Sequence, residues 1–500
     1  MADPNSYLIT SPIYYVNAQP HVGHAYTTVL TDIIARRQRL NGLSVLLTTG
    51  TDEHGAKVAE VARGQKKTPK RFVDEQAELF KIAWQALGIS YDDFIRTTEP
   101  RHEQAVELFL RQLKASGAVY EGVYEGLYCT GCEAFVDLGD LQDGQCPFHN
   151  RVPETVKEKN WFFQLSKYRD ELVKRITNDK IIITPEVRKR EVLSFLARGL
   201  KDISISRENQ PWGIPLPFDP KQTVYVWVDA LINYLTVAGF GADKAKQAAY
   251  WPAACHIIGK DILRFHCVIW PALLLAVGLE PPRQIFVHGF FTVDGQKMSK
   301  TLGNVIAPED LVAKFGPEGA RYVLVRHITP GEDTDIGLDK FSETYNAELK
   351  NGVGNLFARV LKLAQKTEGF VISVPEKHTA TDLIRQSWAS YHQAFNNFNL
   401  AAALEQTQRL VAWSNRSVDT EKPWTINRPD ELAQVLAPIL EVLRHIGLQL
   451  LPFTPRTAGT ILKHLGVKLP ANWLPSQFAA FEQWTPGVIL ATPATEHLFS

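Results

Sequence analysis

The sequence has little cysteine and no long apolar stretch. Five of its 500 residues are cysteine, which is too few for a disulfide framework in a chain of this length. No apolar run reaches the length that crosses a membrane, and the amino-terminal residues lack the charged and then apolar pattern of a secretion signal. These absences predict a cytoplasmic protein that makes no membrane contact.

A surplus of charge is also missing, because 54 Lys and Arg residues balance 54 Asp and Glu residues. This balance argues against a protein that coats nucleic acid without sequence preference. It still allows a local basic track, since phosphate affinity depends on which cations face the ligand. The length predicts about two to four domains.

Two short motifs, His21–His24 (HVGH) and Lys297–Thr301 (KMSKT), carry the strongest chemical signal. HVGH lies where a predicted strand over residues 7–16 meets the N-terminus of a predicted helix, which already favours an anion. Gly23 lets a nucleotide approach the backbone, and the imidazoles supply N–H donors. Lysines of the second motif can bridge β- and γ-phosphates as mobile point charges.

Either motif alone is more often an ordinary pair of surface histidines or an ordinary basic loop. Their surroundings change this interpretation. Strand 7–16, helix Ala25–Leu40 and strand Leu43–Thr49 predict a right-handed β-α-β unit, whose ligands lie at the carboxyl ends of its strands. Asn41-Gly42 is expected to stop the helix. Both motifs around such a core indicate an enzyme that activates an acid with ATP.

The rest of the chain changes character twice. Residues 120–150 show little periodicity, and strand and helix patterns return over 223–239 and 285–293. From about residue 346 the apolar spacing is helical, over 347–366, 380–415 and 430–451, with a predicted linker at Val371–Thr381 and an irregular Pro-rich arm from about residue 465. The pattern therefore predicts a split α/β domain followed by a helical bundle.

A metal site is predicted from Cys129, Cys132, Cys146 and His149. Their CxxC and CxxH spacing suits tetrahedral Zn²⁺ with three thiolates and one imidazole. Four protein ligands close the coordination shell, so this zinc would be structural and would stabilise a small insertion that lacks its own core. Cys255 and Cys267 have no such spacing and are expected to be buried or pocket-edge thiols.

HVGH and KMSKT resemble the HIGH and KMSKS signatures of class I aminoacyl-tRNA synthetases. The flanking sequence resembles the methionyl-tRNA synthetase family, of the bacterial type with a single zinc knuckle, at Ser11–Asn17, Gly50–Gly55, Tyr225–Ala230, Ile258–Asp261 and Trp270-Pro271. The sequence departs from these signatures at two positions. Val22 replaces Ile and keeps a similar size, and Thr301 replaces the final Ser and keeps the hydroxyl group. The resemblance covers nearly the whole chain. It implies a ligase that makes methionyl-adenylate from L-methionine and ATP with Mg²⁺, and then charges tRNA(Met).

The resemblance also implies residue roles. Its catalytic residues would be His21, His24, Lys297 and Lys300, and ATP binding would add Gly23 and Lys260. Methionine binding would involve Ile13, Tyr15, Asp52, Trp227, Ala230, Leu231, Tyr234, Ile262, Phe265, His266 and Trp270. Asp52 would hold the ammonium group, and Tyr234 and His266 would face the sulfur. The tRNA anticodon would be read by Asn351, Asn355, Arg359 and Trp424, although an isolated Trp such as Trp424 is more often a core anchor.

The implied architecture is a split Rossmann-like nucleotide-binding domain with a zinc-knuckle insertion, followed by an α-helical anticodon-binding bundle. Its parts are the catalytic halves 1–118 and 223–288, the insertion 119–222, the KMSKT and stem-contact region 289–345, and the anticodon-binding domain with its C-terminal arm 346–500. No appended dimerisation domain is visible, so a monomer is expected.

Three alternatives fit the sequence less well. A class I synthetase for a branched-chain amino acid would need a much longer editing insertion, and one for cysteine would place zinc in the pocket. A small-molecule nucleotidylyltransferase would have no use for the helical domain. A catalytically silent tRNA-binding relative would have no need of intact HVGH and KMSKT.

Overall fold

The computed structural model describes residues 5–129, 134–136, 138–147, 151–208, 210–293, 295–297, 305–367, 371–374, 378–469, 487–490 and 498–499. The chain divides into two compact units. The first comprises the chain up to Pro20, Leu46–Ile82 and Tyr91–Val287, and the second comprises His21–Val45, Ala83–Ser90 and the chain from His288 onward. Among the described helices, none is both long enough and apolar enough to cross a membrane.

Strands and helices alternate in the first half of the chain, and helices dominate the second. The strands are β1 Ser6–Tyr15, β2 Ser44–Asp52, β3 Asp93–Arg96, β4 Val119–Cys129, β5 Ala134–Val136, β6 Glu154–Phe163, β7 Ile182–Thr184, β8 Ile203–Ser204, β9 Ser206–Glu208, β10 Pro215–Leu216, β11 Asp219–Val224, β12 Ala254–Gly259, β13 Gln284–His288, β14 Phe291–Val293, β15 Gln296–Lys297, β16 Thr334–Ile336, β17 Val371–Val374 and β18 Gly487–Leu490. The α-helices are α1 Val22–Leu40, α2 Ala56–Gly64, α3 Pro69–Ala86, α4 Pro100–Ala115, α5 Arg169–Thr177, α6 Glu186–Ala197, α7 Val226–Ala238, α8 Lys244–Tyr250, α9 Trp270–Ala276, α10 Pro308–Arg326, α11 Leu338–Thr344, α12 Asn355–Ala364, α13 Thr381–Asn396, α14 Leu400–Glu421, α15 Pro429–Leu450 and α16 Pro455–His464.

The central sheet of the first unit has the strand order β3-β2-β1-β12-β13-β7 within the described residues. The pairs β1–β12, β2–β3 and β13–β7 are parallel. Strands buried on both faces consist of near-continuous apolar runs, as β1 and β12 do. A side chain at Gly50 in β2 would meet the Ile95 carbonyl oxygen of β3 at 2.0 Å, so the strands can pair this closely only at glycine.

The predicted β-α-β unit is confirmed, because β1 and β2 are neighbours and α1 lies between them in sequence. The Val16 amide, just after β1, donates to the carbonyl of Asp52, the last residue of β2, over 3.2 Å. The ends of these two strands therefore meet at one edge of the sheet. The predicted stop of α1 is also confirmed, with Asn41 as its C-cap and Gly42 at a φ of 80°.

The region 120–150, where the sequence shows little periodicity, contains the long strand β4. This strand pairs with β6 in a smaller sheet of order β5-β4-β6-β8. Glycines interrupt the alternation of side chains by which a strand is recognised in a sequence. Larger residues would be crowded at these positions, because an added side chain would contact Phe162 at Gly122 and the Tyr124 ring at Gly126. The strand is therefore held by its partner rather than by its own pattern.

The second unit contains α1 and the helices from α10 onward. Helical spacing over 380–415 corresponds to two helices, α13 and α14, which are separated where Phe398 adopts a φ of 56°. The predicted linker at Val371–Thr381 instead begins with β17, which pairs antiparallel with β18 from the Pro-rich arm. A short strand of this kind depends on a distant partner, which local spacing does not reveal.

Candidate active site

The HVGH residues form the N-terminus of α1. His21 is the N-cap, and its Nδ1 accepts the Gly23 amide over 3.1 Å. Nδ1 of His24 accepts the His21 amide over 3.4 Å, and the two rings stack with centroids 3.7 Å apart. Burial, and then the neighbouring His21, hold the pKa of His24 well below its usual range. Since Nδ1 accepts in each ring, the proton of a neutral ring is on Nε2, where it can serve as a donor.

Both flanks of the KMSKT segment contact α1 within the second unit. Before the segment, His288 lies with its Nε2 2.8 Å from the Thr27 hydroxyl and donates from Nδ1 to the Gly289 carbonyl over 2.7 Å. After the segment, the Ile306 carbonyl accepts the Val22 amide over 2.9 Å. The first turns of the HVGH helix are thus tied to the chain on both sides of the second motif.

The strand leading into KMSKT forms a hairpin. β14 pairs antiparallel with β15, and Thr292 lies opposite Lys297. The Asp335 carboxylate accepts the Thr292 hydroxyl and the Gly295 amide over 2.9 and 2.7 Å, which fixes the turn. The backbone of Lys297 ends β15, whereas Lys300 and Thr301 lie outside the described residues.

The residues expected to bind methionine lie at the ends of three neighbouring strands of the first unit and on α7. Tyr15 ends β1, Asp52 ends β2, and the segment Lys260–Trp270 follows β12. Asp52 is 8% exposed. Lys260 is partly exposed in a short 3-10 turn directly after β12. Because ligands of such sheets lie at the carboxyl ends of the strands, this is where a substrate would bind.

The aromatic members of this group differ in burial. Trp227 on α7 and Phe265 are partly exposed and stack face to face, with centroids 4.0 Å apart and planes 11° apart. The remaining partly exposed members are Ile13, Tyr15 and Ile262, and the buried ones are Ala230, Leu231, Tyr234, His266 and Trp270. The partly exposed Trp227, Ile262 and Phe265 pack directly against a buried cluster that includes Leu231, Tyr234 and Trp270.

Tyr234 and His266 form a buried, uncharged pair. The Ile262 carbonyl accepts from Nδ1 of His266 over 3.0 Å, so Nε2 accepts the Tyr234 hydroxyl over 2.8 Å. Burial lowers the pKa of His266 to about 4 and raises that of Tyr234. A neutral, polarizable surface of this kind suits a thioether.

The sequence assigned no role to His256, which lies beneath Tyr234. Its ring stacks on Tyr234 with centroids 4.2 Å apart, and its Nδ1 is 2.9 Å from the Thr10 hydroxyl. Burial and then His266 hold the pKa of His256 well below its usual range. One feature of the sequence could have identified His256. It is a lone polar residue in an otherwise apolar buried strand, and buried polar groups need hydrogen-bond partners.

Half of the predicted zinc site falls within the described residues. Cys129 ends β4, and both Cys129 and Cys146 are buried. Cys132 and His149 lie outside the described residues. Within the described part of the chain, no group of three or more His, Cys, Asp or Glu residues could hold a metal ion. Cys255 and Cys267 are buried thiols, as predicted.

The predicted anticodon residues all lie in the second unit. Asn351 lies in a π-helical segment, Tyr345–Gly354, that continues into α12, where Asn355 is exposed. The Arg359 guanidinium group lies over the Trp424 ring, with its carbon 5.1 Å from the ring centroid. A guanidinium nitrogen of Arg359 also pairs with a carboxylate oxygen of Asp419 over 2.9 Å. Trp424 is 44% exposed, so it is not the core anchor that an isolated Trp more often is.

Comparison with known proteins gives a consistent result. The family described as "tRNA synthetases class I (M)" matches residues 7–150 and 131–361. The methionine–tRNA ligases of Rickettsia conorii and Thermosynechococcus vestitus are each 42% identical, over 93% of this chain and 93% and 90% of theirs. The Mycobacterium tuberculosis methionyl-tRNA synthetase in complex with methionyl-adenylate is 35% identical, with a TM-score of 0.91 over 99% of both chains.

Proposed function

The chain belongs to the methionyl-tRNA synthetase family of class I aminoacyl-tRNA synthetases, and we propose how its own residues carry out the reaction of a methionine–tRNA ligase. The methionine carboxylate attacks the α-phosphorus of ATP, which gives methionyl-adenylate and releases pyrophosphate. A ribose hydroxyl at the 3′ end of tRNA(Met) then takes the methionyl group. Positioning and charge stabilisation supply most of the catalysis, as in other phosphoryl transfers.

In this proposal the phosphates bind at the N-terminus of α1. Nε2 of His21 and of His24 donates to the phosphates, while Lys297 and Lys300 neutralise the charge that develops on pyrophosphate. Gly23 allows the nucleotide to approach the backbone, and Lys260 contributes a further cation. Mg²⁺ bound with ATP supplies charge neutralisation on the phosphates. The observation that carries the proposal is that α1 contacts both flanks of KMSKT, through His288 and Ile306.

We use the term methionine site for the eleven residues named above at the ends of β1, β2 and β12 and on α7. Asp52 binds the substrate ammonium group, and the stacked Trp227 and Phe265 cover its side chain. The Tyr234–His266 pair faces the thioether. The uncharged state of that pair supports this role, because a charged group would favour polar competitors of similar size.

On the tRNA side, Trp424 and Arg359 stack with anticodon bases, and Asn351 and Asn355 bind their edges. The exposure of the Trp424 ring supports this role, because single-stranded bases are recognised by stacking on exposed aromatic rings. The proposal also includes the domain division predicted from the sequence, a monomeric state and a cytoplasmic location.

A structural Zn²⁺ held by Cys129, Cys132, Cys146 and His149 is also part of the proposal. The two described ligands fit, because both are buried thiols. The Cys146 backbone is also held, since its amide donates to the Arg151 carbonyl over 2.9 Å. Bound zinc would crosslink the small sheet containing β4 and β6 and would supply no chemistry to the reaction.

The decisive experiment is ATP–pyrophosphate exchange with each amino acid in turn, followed by charging of tRNA(Met). We expect exchange that depends on methionine and charging that depends on the tRNA. Exchange with a different amino acid would indicate another synthetase. Exchange with a nucleotide-accepting small molecule but with no amino acid would indicate a nucleotidylyltransferase.

A further inference from the structure

Asp229 is a fully buried carboxylate that joins three elements of the first unit. It lies on α7, and its Oδ2 accepts Nδ1 of His54, just after β2, over 2.7 Å. Its Oδ1 accepts Nε2 of His102, on α4, also over 2.7 Å. Both oxygens are therefore used to hold neighbouring elements rather than a ligand.

Hydrogen bonds of the neighbouring residue, Glu53, also hold the chain segment that carries His54. Glu53 is fully buried and accepts Nε of Arg96 over 2.6 Å and the Thr98 hydroxyl over 2.5 Å. The indole N–H of Trp212 donates to the Glu53 carbonyl over 2.6 Å. The two residues that follow Asp52 are thus each held by buried polar contacts.

We infer that Asp229 is a positioning residue for methionine, acting through His54 to fix the Asp52 carboxylate relative to α7. The inference rests on the proposed methionine site. Asp229 lies between Trp227 and Ala230 in the first turn of α7, so one side chain links the ammonium-binding end of β2 to the helix that lines the substrate side chain. A binding group is effective when neighbouring contacts hold it in place before the ligand arrives.

The charges of the surrounding groups support a buried ion pair. Burial alone would raise the pKa of Asp229, but His54 and His102 lower it to about 2. Burial would lower the pKa of His54, but Asp229, followed by Glu103 and Glu53, raises it above its usual value. Removing one partner of such a pair leaves an uncompensated buried charge, so the contact cannot be lost without local rearrangement.

Asp229→Asn and His54→Gln test the inference in ATP–pyrophosphate exchange. Each variant keeps the approximate size of the side chain but removes the ion pair. We expect the KM for methionine to rise about tenfold or more while the KM for ATP stays unchanged, because only one substrate loses a positioned partner. Thermal unfolding of each variant checks that the protein remains folded.

Two inhibitors separate positioning of Asp52 from general damage to the site. Methylthiopropylamine keeps the ammonium group and lacks the carboxylate, and methylthiobutanoate keeps the carboxylate and lacks the ammonium group. Asp229→Asn should weaken the first by about tenfold and leave the second unchanged. If the role of Asp229 is purely structural, Asp229→Asn should weaken the binding of both inhibitors.

Two further variants complete the design. Glu441→Gln in the second unit is the matched control, because Glu441 is a buried carboxylate bound by Arg444 and His445, with a pKa also lowered to about 2. It should lose stability without a change in the methionine KM. If Asp52→Asn leaves methylthiopropylamine binding unchanged, the methionine site itself is wrong. If Asp52→Asn weakens that inhibitor but Asp229→Asn weakens neither inhibitor, or both equally, only the present inference is overturned.

Discussion

The Tyr234 hydroxyl donates to Nε2 of His266 over 2.8 Å in the buried part of the proposed methionine site. The direction of this bond is fixed, because Nδ1 of the same ring already donates to the Ile262 carbonyl. Neither side chain carries a charge at neutral pH, since burial lowers the pKa of His266 to about 4 and raises that of Tyr234.

Removing the hydroxyl of that pair should affect both stability and methionine binding. In Tyr234→Phe the buried Nε2 of His266 loses its donor, which costs about 1–3 kcal/mol of unfolding free energy. We also expect a higher KM for methionine. Tyr391→Phe is the matched control, because Tyr391 is equally buried and donates to the Gln449 carbonyl over 2.7 Å in the other unit. An equal rise in the methionine KM of both variants would contradict a role in the site.

Loss of an HVGH imidazole should slow adenylate formation. We expect His24→Ala to lower methionine-dependent ATP–pyrophosphate exchange on the order of a hundredfold, about 3 kcal/mol of transition-state stabilisation. Lys300→Ala should have an effect of the same size. The methionine dissociation constant, measured without ATP, should stay unchanged. An exchange rate equal to that of the wild type in either variant would contradict the assignment.

Acid should destabilise the fold through histidines that are buried in the neutral form. Burial, and then Arg444, lower the pKa of His445 from 6.5 to about 4. Between these values the unfolded chain binds a proton that the folded chain does not, so stability falls as the pH drops from 6.5 towards 4. His445→Gln should reduce the slope of unfolding free energy against pH by up to about 1.4 kcal/mol per pH unit. Tyr391→Phe, which removes no titrating imidazole, should keep the wild-type slope.

The exposed Trp424 should matter for tRNA and not for activation. Trp424→Ala should lower kcat/KM for tRNA charging by an amount equivalent to about 1–3 kcal/mol, the typical contribution of one stacked base. ATP–pyrophosphate exchange in the same preparation should be unchanged. Charging at the wild-type rate would contradict the proposed role of Trp424 in anticodon binding, and a loss of exchange would point to a folding defect instead.

Zinc should be present at one atom per chain and should be structural. Cys129→Ser should lower the zinc content measured by elemental analysis and reduce the melting temperature, because the metal crosslinks a small sheet. Cys255→Ser is the control, since Cys255 is a buried thiol in β12 without the metal-site spacing. A full complement of zinc in Cys129→Ser would contradict the predicted ligand set.

Much of the fold near the motifs follows from local sequence. The apolar runs of β1 and β2, with the helical spacing of α1 between them, were sufficient to predict the β-α-β unit. Two features of the fold could not be predicted from local sequence patterns. β4 is interrupted by glycines and depends on its partner β6, and β17 pairs with a strand more than a hundred residues away. Pairing over such distances leaves no periodic trace in either segment.

The sequence by itself was sufficient to predict the chemistry of this protein. HVGH, KMSKT and the Cys and His spacing are short patterns of residue types, and the resemblance to the family implied the residues of the proposed methionine site. Only the tertiary structure decided which other polar residues support that chemistry. His256 stacks under Tyr234, His288 contacts the HVGH helix, and Asp229 binds His54 and His102. Each of these contacts joins residues far apart in the chain, and burial makes their pairing obligatory, so only the folded core specifies the partners.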